Sequence, residues 1–372
     1  MVTDQRAGSL RVLGILGLVG VACALLLGFL GGAIGLGVAS LQDRAGSGTA
    51  ASSGDAESGE PSPPEASAAA DDGPVTVADV VRGALPSVVT VSVDAGFESG
   101  SGSGFALSEG YLVTNNHVIA AALDNDGRIE VIRSDGSRVP AEIVGRNVSY
   151  DVAVLKVDAP DLQPLLPQSG DVAVGDSVIV IGAPLGYDFT VTTGIISALD
   201  RPVTVREAEE TSYFSAIQTD APINPGNSGG PVVDSDGRFI GMASAIANPA
   251  QGGAAGSIGL GFAIPARAVV RIADEIIATG SSRTPVMGVT LDPSFAGPGA
   301  LIDTVTADGA AAAAGLRAGD VILALAGLPV ANANELVVAI RDRLPGEEVV
   351  VEARRGDREF TVRLALGSRE DL

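Results

Sequence analysis

The chain has 372 residues, a length that suits two or three domains, and a formal net charge of −22. That charge excludes a basic nucleic-acid-binding surface. The single cysteine, Cys23, excludes an internal disulfide, a cysteine-built zinc site and a catalytic Cys/His pair.

Residues 12–39 carry no charged side chain. As a helix they extend about 42 Å against a hydrocarbon core of about 30 Å, which predicts a transmembrane helix. Arg6 and Arg11 precede the stretch, so the positive-inside bias places residues 1–11 in the cytoplasm and the bulk of the chain outside. A cleaved signal ending near Val38-Ala-Ser40 is the other reading. Residues 40–74 are rich in Ala, Ser, Gly, Pro and acidic side chains without apolar periodicity, the composition of a disordered linker.

From 75 to 280 the chain changes to short apolar runs broken by Gly, Pro, Asn and Asp, at 87–93, 111–114, 152–155, 177–181 and 238–242. Many short strands at this spacing predict a β-sandwich or barrel. With aromatics at only 3% of the chain, the cores must be built from Val, Ile, Leu and Ala. Only 266–278 reads as a helix, closing this domain with an apolar face of Val269, Val270, Ile272, Ala273, Ile276 and Ile277. Residues 281–368 form a second unit. It has predicted strands at 286–291, 300–305, 321–325, 347–352 and 359–365 and a helix at 334–343, a small α+β module.

The chain has one histidine, His117, so acid–base chemistry near neutral pH falls to it. It follows strand 111–114 in a turn opened by Asn115 and Asn116. Asp151 begins an alternating strand, where a buried carboxylate can lie beside His117; Asp158, at the strand's far end, is the weaker candidate. Gly226-Asn-Ser-Gly-Gly-Pro231 has the makeup of a tight turn that projects a nucleophilic serine and converges backbone N–H groups on an oxyanion. The order His, Asp, Ser is that of chymotrypsin-like serine proteases. Activity is expected to fall below about pH 6.5 as the imidazole protonates. The Gly100-Ser-Gly-Ser-Gly104 run lacks the following helix of a dinucleotide site and is expected to be a turn near the active site.

Gly102-Ser-Gly-Phe105, Thr114-Asn-Asn-His-Val118, Asp151-Val-Ala-Val-Leu-Lys156, Thr219-Asp-Ala-Pro-Ile-Asn-Pro-Gly-Asn-Ser-Gly-Gly-Pro231 and Gly259-Leu-Gly-Phe-Ala-Ile-Pro265 together resemble the HtrA/Deg family of trypsin-like serine proteases. The resemblance runs from about Val77 to Leu366. It implies a mainly β fold, with a double β-barrel protease domain at 75–280, the triad in the cleft between perpendicular barrels, and an α+β PDZ domain at 281–368. Ser228 is then the nucleophile, His117 the general base and acid, and Asp151 the group that orients the imidazole. The N–H groups of Gly226 and Ser228, with Asn227 between them, would form the oxyanion hole. Assembly as a homotrimer is implied as well. One departure stands out: 95–104 is short and Gly/Ser-rich where many relatives carry a bulky or charged loop.

Six positions before Ser228, where trypsin-like cleavage after Lys or Arg needs an acid, stands Pro222. Ile223, Ala243, Ser244 and Ala245 are the expected pocket walls, giving a small apolar site for Val, Ala or Ile. In the last module Val286, Met287, Gly288 and Val289 align with the carboxylate-binding loop of a PDZ domain, which captures peptide C-termini by strand addition. No metal or organic cofactor is indicated. The expectation as a whole is a single-pass protein of the cell membrane, its protease and PDZ domains outside, cleaving unfolded or regulatory envelope proteins. The alternative is a chaperone-like binder of unfolded chains that cleaves slowly or not at all.

Overall fold

The computed structural model describes residues 75–96, 98–124, 127–183, 189–207, 210–244, 257 and 259–371. The described chain opens on helix α1 (Val77–Ala84), started by a capping box in which Thr76 and Asp79 each accept the other's backbone N–H.

Six strands then close the first barrel: β1 (Val88–Ala95), β2 (Glu98–Ser108), β3 (Tyr111–Thr114), β4 (Arg128–Ile132), β5 (Arg138–Asn147) and β6 (Val152–Val157). A second barrel closes from β7 (Ser177–Gly182), β8 (Thr190–Glu207), β9 (Glu210–Thr219), β10 (Pro231–Val233), β11 (Phe239–Ser244) and β12 (Gly261–Pro265). Helix α2 (Asn116–Asp124) leaves the end of β3, so His117 lies in the first turn of a helix rather than in a loop. The Gly100–104 run is not a turn either. It lies inside β2, with Val91 paired to Gly102 and Val89 to Gly104.

Strand alternation sorts the apolar side chains. In β6, Ala153, Leu155 and Val157 fill the first barrel, while Val152 and Val154 face a seam that also holds Ile181, Phe214, Met242 and Ile264 of the second barrel. Helix α3 (Ala266–Thr279) drives Val269, Ile272, Ala273 and Ile276 into that seam. It ends at Gly280, whose left-handed φ of 82° lets its N–H bond the Ile276 carbonyl. Ile272 is fully buried there. Ile272→Ala is expected to cost about 2–5 kcal/mol, combining lost transfer energy with the cavity left behind, read as a lower urea midpoint.

The last module has β13 (Ser282–Val286), β14 (Val289–Leu291), β15 (Ala300–Val305), β16 (Val321–Leu325), β17 (Leu328–Pro329), β18 (Glu348–Arg355), β19 (Arg358–Ala365) and β20 (Gly367–Asp371). Five of these form a sheet in the order β14-β15-β16-β18-β19, with β17 pairing β16, and β13 pairs with β20. Helices α4 (Ala310–Ala313) and α5 (Ala333–Arg341) complete it. The single strand expected at 286–291 is broken by Gly288, whose φ of 82° splits it into the end of β13 and a separate β14.

The end of α5 rests on the two barrels. Arg341 lies over the rings of Tyr213 (4.9 Å) and Tyr150 (5.9 Å), and the Tyr150 hydroxyl donates to the Arg341 carbonyl at 2.6 Å. Arg369 of β20 donates to the Ser149 hydroxyl, and the Asn147 amide donates to Ser282 at 2.7 Å.

The mainly β architecture, two six-stranded barrels and an α+β module, is present. The transmembrane helix of the expected fold is corrected. Among the described residues no helix is long and apolar enough to cross a membrane. The longest of the helices named above, α3, has 14 residues and carries Arg267, Arg271, Asp274 and Glu275. It spans only about 21 Å. The expected helix at 12–39 lies outside the described residues.

Candidate active site

Asp151 is aimed by its backbone. The turn Val148–Tyr150 is capped by the Asn147 side chain, which accepts the Tyr150 N–H at 3.1 Å. Asp151 then takes the left-handed conformation (φ 59°), uncommon for a residue with a Cβ, before β6 begins. Its carboxylate is 1% exposed. Oδ1 accepts the backbone N–H of His117 at 3.0 Å, and His117 Nδ1 lies 2.9 Å from Oδ2 and 3.1 Å from Oδ1. The carboxylate therefore does two things. It satisfies an N–H at the start of α2 that the helix cannot satisfy itself, and it holds the ring. Asn115 donates to the Asp151 carbonyl at 3.0 Å, fixing the carboxylate's own backbone. Asp158 is exposed.

Ser228 lies in a turn between β9 and β10. Gly226 and Gly229 adopt φ of 97° and 83°. A Cβ on Gly229 would sit 2.1 Å from the Ser103 carbonyl, and one on Gly230 would sit 2.3 Å from the Ile181 carbonyl, so neither position admits a larger residue. The turn is closed by N–H bonds from Asn227 to the Asn224 carbonyl and from Gly230 to the Asn227 carbonyl. It is clipped to β11 by reciprocal bonds between Gly229, Gly230 and Ala243, at 2.9 and 2.8 Å. Asn227 spends its N–H on this turn. Gly102 ties the serine to the histidine: a Cβ there would meet the side chain of Val118, beside His117, at 2.6 Å and the Ser228 carbonyl at 3.1 Å.

Ser244 was expected in the pocket wall. Its buried hydroxyl donates to Asp151 Oδ2 at 3.3 Å. Ile223 and Ala243 are buried together with Ala221 and Ala263 in the core of the second barrel, and a Cβ on Gly261 would touch Ile223 at 2.9 Å. Ala245 lies outside the described residues. Pro222 is exposed, and Asp220 accepts the Ile195 N–H at 2.7 Å, so the nearest acid is committed to the bend of β8. In the last module Val286 to Val289 join β13 to β14. Met287 is buried in the module's core, while the Gly288 carbonyl accepts the Thr306 N–H at 2.9 Å. Among the described strands β14 lies at the sheet edge.

Sequence reasoning missed several supports. Asn116 and Arg146 both bond Glu210, at 2.8 and 2.7 Å, tying the start of α2 to the second barrel. Burial pushes the Glu210 carboxyl up, but the bonds from Arg146 and Asn116 outweigh it and hold the group below its ordinary value. No local motif marks a partner 94 residues away. Thr114 lies within one of the recognised stretches, yet nothing in it reveals that its hydroxyl donates to the Ser103 carbonyl at 2.7 Å.

A trypsin-like peptidase domain matches residues 102–242, which include His117, Asp151 and Ser228, and a PDZ domain matches residues 285–366. The chain is 42% identical to the serine protease PepD of Mycobacterium tuberculosis over 80% of its own length and 67% of the relative's. It is 39% identical to a probable periplasmic serine endoprotease DegP-like of Pseudomonas fulva, over 72% and 56% respectively. It thus spans about half to two thirds of these curated relatives. Among solved structures, the HtrA-type protease AlgW with decapeptide superposes with a TM-score of 0.60 and 30% identity, over 79% of this chain and 99% of that one. A serine endoprotease of Yersinia pestis gives 0.57 and 30%, over 80% and 100%. These likenesses rest on the protease and PDZ modules and give no support to a membrane anchor or to a trimer, so both expectations are set aside. On the barrels, the site geometry and relatives matched over most of their length, the chain belongs to the HtrA/Deg family of trypsin-like serine proteases with a PDZ domain.

Proposed function

We propose that this serine protease cleaves unfolded or regulatory proteins outside the cytoplasm, with a catalytic domain at 75–280 and a PDZ domain at 281–368. Ser228 attacks the scissile carbonyl while His117 Nε2 takes the hydroxyl proton. Asp151 keeps the Nδ1 proton on its own side and stabilises the imidazolium that forms. The N–H groups of Gly226 and Ser228 receive the oxyanion. His117 returns its proton to the leaving amine, and water, activated by the same imidazole, then releases the acyl group and restores Ser228. The observation that carries this reading is the 2.9 Å contact of His117 Nδ1 with a buried Asp151 carboxylate, beside a glycine-flanked Ser228 turn clipped into the second barrel.

The extracytoplasmic setting is supported by relatives named as probable periplasmic serine endoproteases. The module's exposed β14 edge and its Gly288 loop support capture of peptide C-termini by strand addition. Cleavage after small apolar residues is supported by Pro222 at the position where an acid would select Lys or Arg and by the engagement of Asp220 elsewhere. A peptide-library digest is expected to place Val, Ala or Ile before the cut. Cleavage mainly after Arg or Lys would refute this pocket.

A further inference from the structure

Ser103, in the middle of β2, is completely buried, and every polar group it has is spent on the nucleophile turn or on what holds that turn. Its N–H donates to the Ser228 carbonyl at 2.8 Å, and its carbonyl accepts the Thr114 hydroxyl at 2.7 Å. The hydroxyl donates to the Gly226 carbonyl at 2.6 Å and accepts the Ala183 N–H at 2.8 Å. The direction of both hydroxyl bonds is fixed by chemistry, since a carbonyl only accepts and a backbone N–H only donates. One side chain of the first barrel therefore grips two main-chain points of the second. Thr90, paired with Ser103 across β1 and β2, donates to the Ala183 carbonyl at 2.7 Å and holds the same residue from its other side.

We infer that the Ser103 hydroxyl is a positioning group for the reaction, locking the Gly226 peptide so that the oxyanion donors stay aimed at the substrate carbonyl. This inference rests on the site reading given above. The physical reason lies in Gly226. At φ 97° a glycine has no steric preference to keep it there, and peptides flanking glycine rotate at little cost. The Gly226 carbonyl and the Asn227 N–H belong to one peptide group, gripped at one end by Ser103 and at the other by the Asn224 carbonyl. Removing the hydroxyl frees one grip and leaves the part-buried Gly226 carbonyl and the buried Ala183 N–H without this partner, so that the Gly226 peptide can rotate. The oxyanion donors move with it.

The test compares Ser103→Ala, Ser103→Cys and Thr90→Val with the wild type on a chromogenic peptide, alongside thermal melting and the rate of acylation by a fluorophosphonate. Cysteine nearly keeps the volume but is a weak donor, so it decides the matter if the alanine variant does not fold. The expected result for Ser103→Ala and Ser103→Cys is a fall in kcat of roughly ten- to a hundred-fold, a matching fall in acylation rate and a KM within about threefold of wild type, the pattern of misplaced groups rather than weaker binding. Thr90→Val, which loosens the same barrel contact without touching Gly226, is expected to lower the melting temperature while keeping kcat within about threefold. The inference is overturned if folded Ser103 variants keep at least half of the wild-type kcat, or if Thr90→Val loses kcat equally. Ser228→Ala run in parallel separates the two levels. If it is inactive while the Ser103 variants are normal, only this inference fails; if it still cleaves, the site reading itself fails.

Discussion

Ser228→Ala is expected to lower turnover of a peptide substrate by about a million-fold, leaving only the residual rate that an oxyanion hole and substrate binding provide. The effect is large because the nucleophile, its base and the orienting carboxylate act as one unit. Losing the hydroxyl makes the proton transfer to His117 meaningless, however well Asp151 holds the ring. The fold should be untouched. Ser228 is 4% exposed, and the turn is built from backbone bonds of its neighbours and from its own carbonyl, which an alanine keeps. Steady-state cleavage together with a melting curve checks this: activity should vanish at an unchanged melting temperature. Persistent cleavage in a folded variant would remove Ser228 from the mechanism and favour the alternative of a binding protein with a contaminating activity.

Asp151→Asn is expected to reduce kcat about ten-thousand-fold with little change in KM. The reason is visible in the donors around the carboxylate. Asp151 accepts the His117 backbone N–H at Oδ1, faces His117 Nδ1, and accepts the Ser244 hydroxyl at Oδ2. An asparagine has a single side-chain oxygen for these donors and must turn its NH2 toward one of them. If the oxygen keeps the backbone N–H of α2, the NH2 faces Nδ1 and forces the proton onto Nε2, the nitrogen that has to accept from Ser228. If the amide flips, the helix start loses its partner. Asparagine is also the substitution that spares the backbone, because it tolerates the left-handed φ of 59° better than residues other than glycine and aspartate. Alanine at this position would mix a charge effect with strain. A variant retaining more than a tenth of wild-type kcat would show that Asp151 does not set the tautomer.

The parts that could be read from the sequence are those whose determinants are local or rare. His117 has no competitor, and Ser228 is framed by glycines whose crowding against Ser103 and Ile181 explains their presence. The strands β15 and β16 begin and end where the apolar runs do, because turn-forming residues flank them. Helix α1 carried its own notice in Thr76 and Asp79, but eight residues are too few for a periodicity to stand out. The remaining misreadings have tertiary causes. Gly100–104 looked like a turn because glycines favour turns. Pairing with β1 makes it a strand, and at Gly102 a larger residue would collide with Val118. Helix α2 starts at a pair of asparagines because Asp151, 34 residues away from His117, supplies the acceptor its first turn needs. The bond from the Ser244 hydroxyl to Asp151 spans 93 residues, so no local motif announces it. The Glu210 contact joins two barrels and has no footprint at all in the local sequence.

In this mechanism one hydroxyl among all those in the chain is activated. Treating the native protein with a fluorophosphonate and locating the adduct by mass spectrometry identifies that hydroxyl. The expected result is a single stoichiometric modification on Ser228, slowed strongly in Asp151→Asn and absent in Ser228→Ala. An adduct on another serine, or none in a preparation that hydrolyses peptides, would rule out Ser228 as the nucleophile.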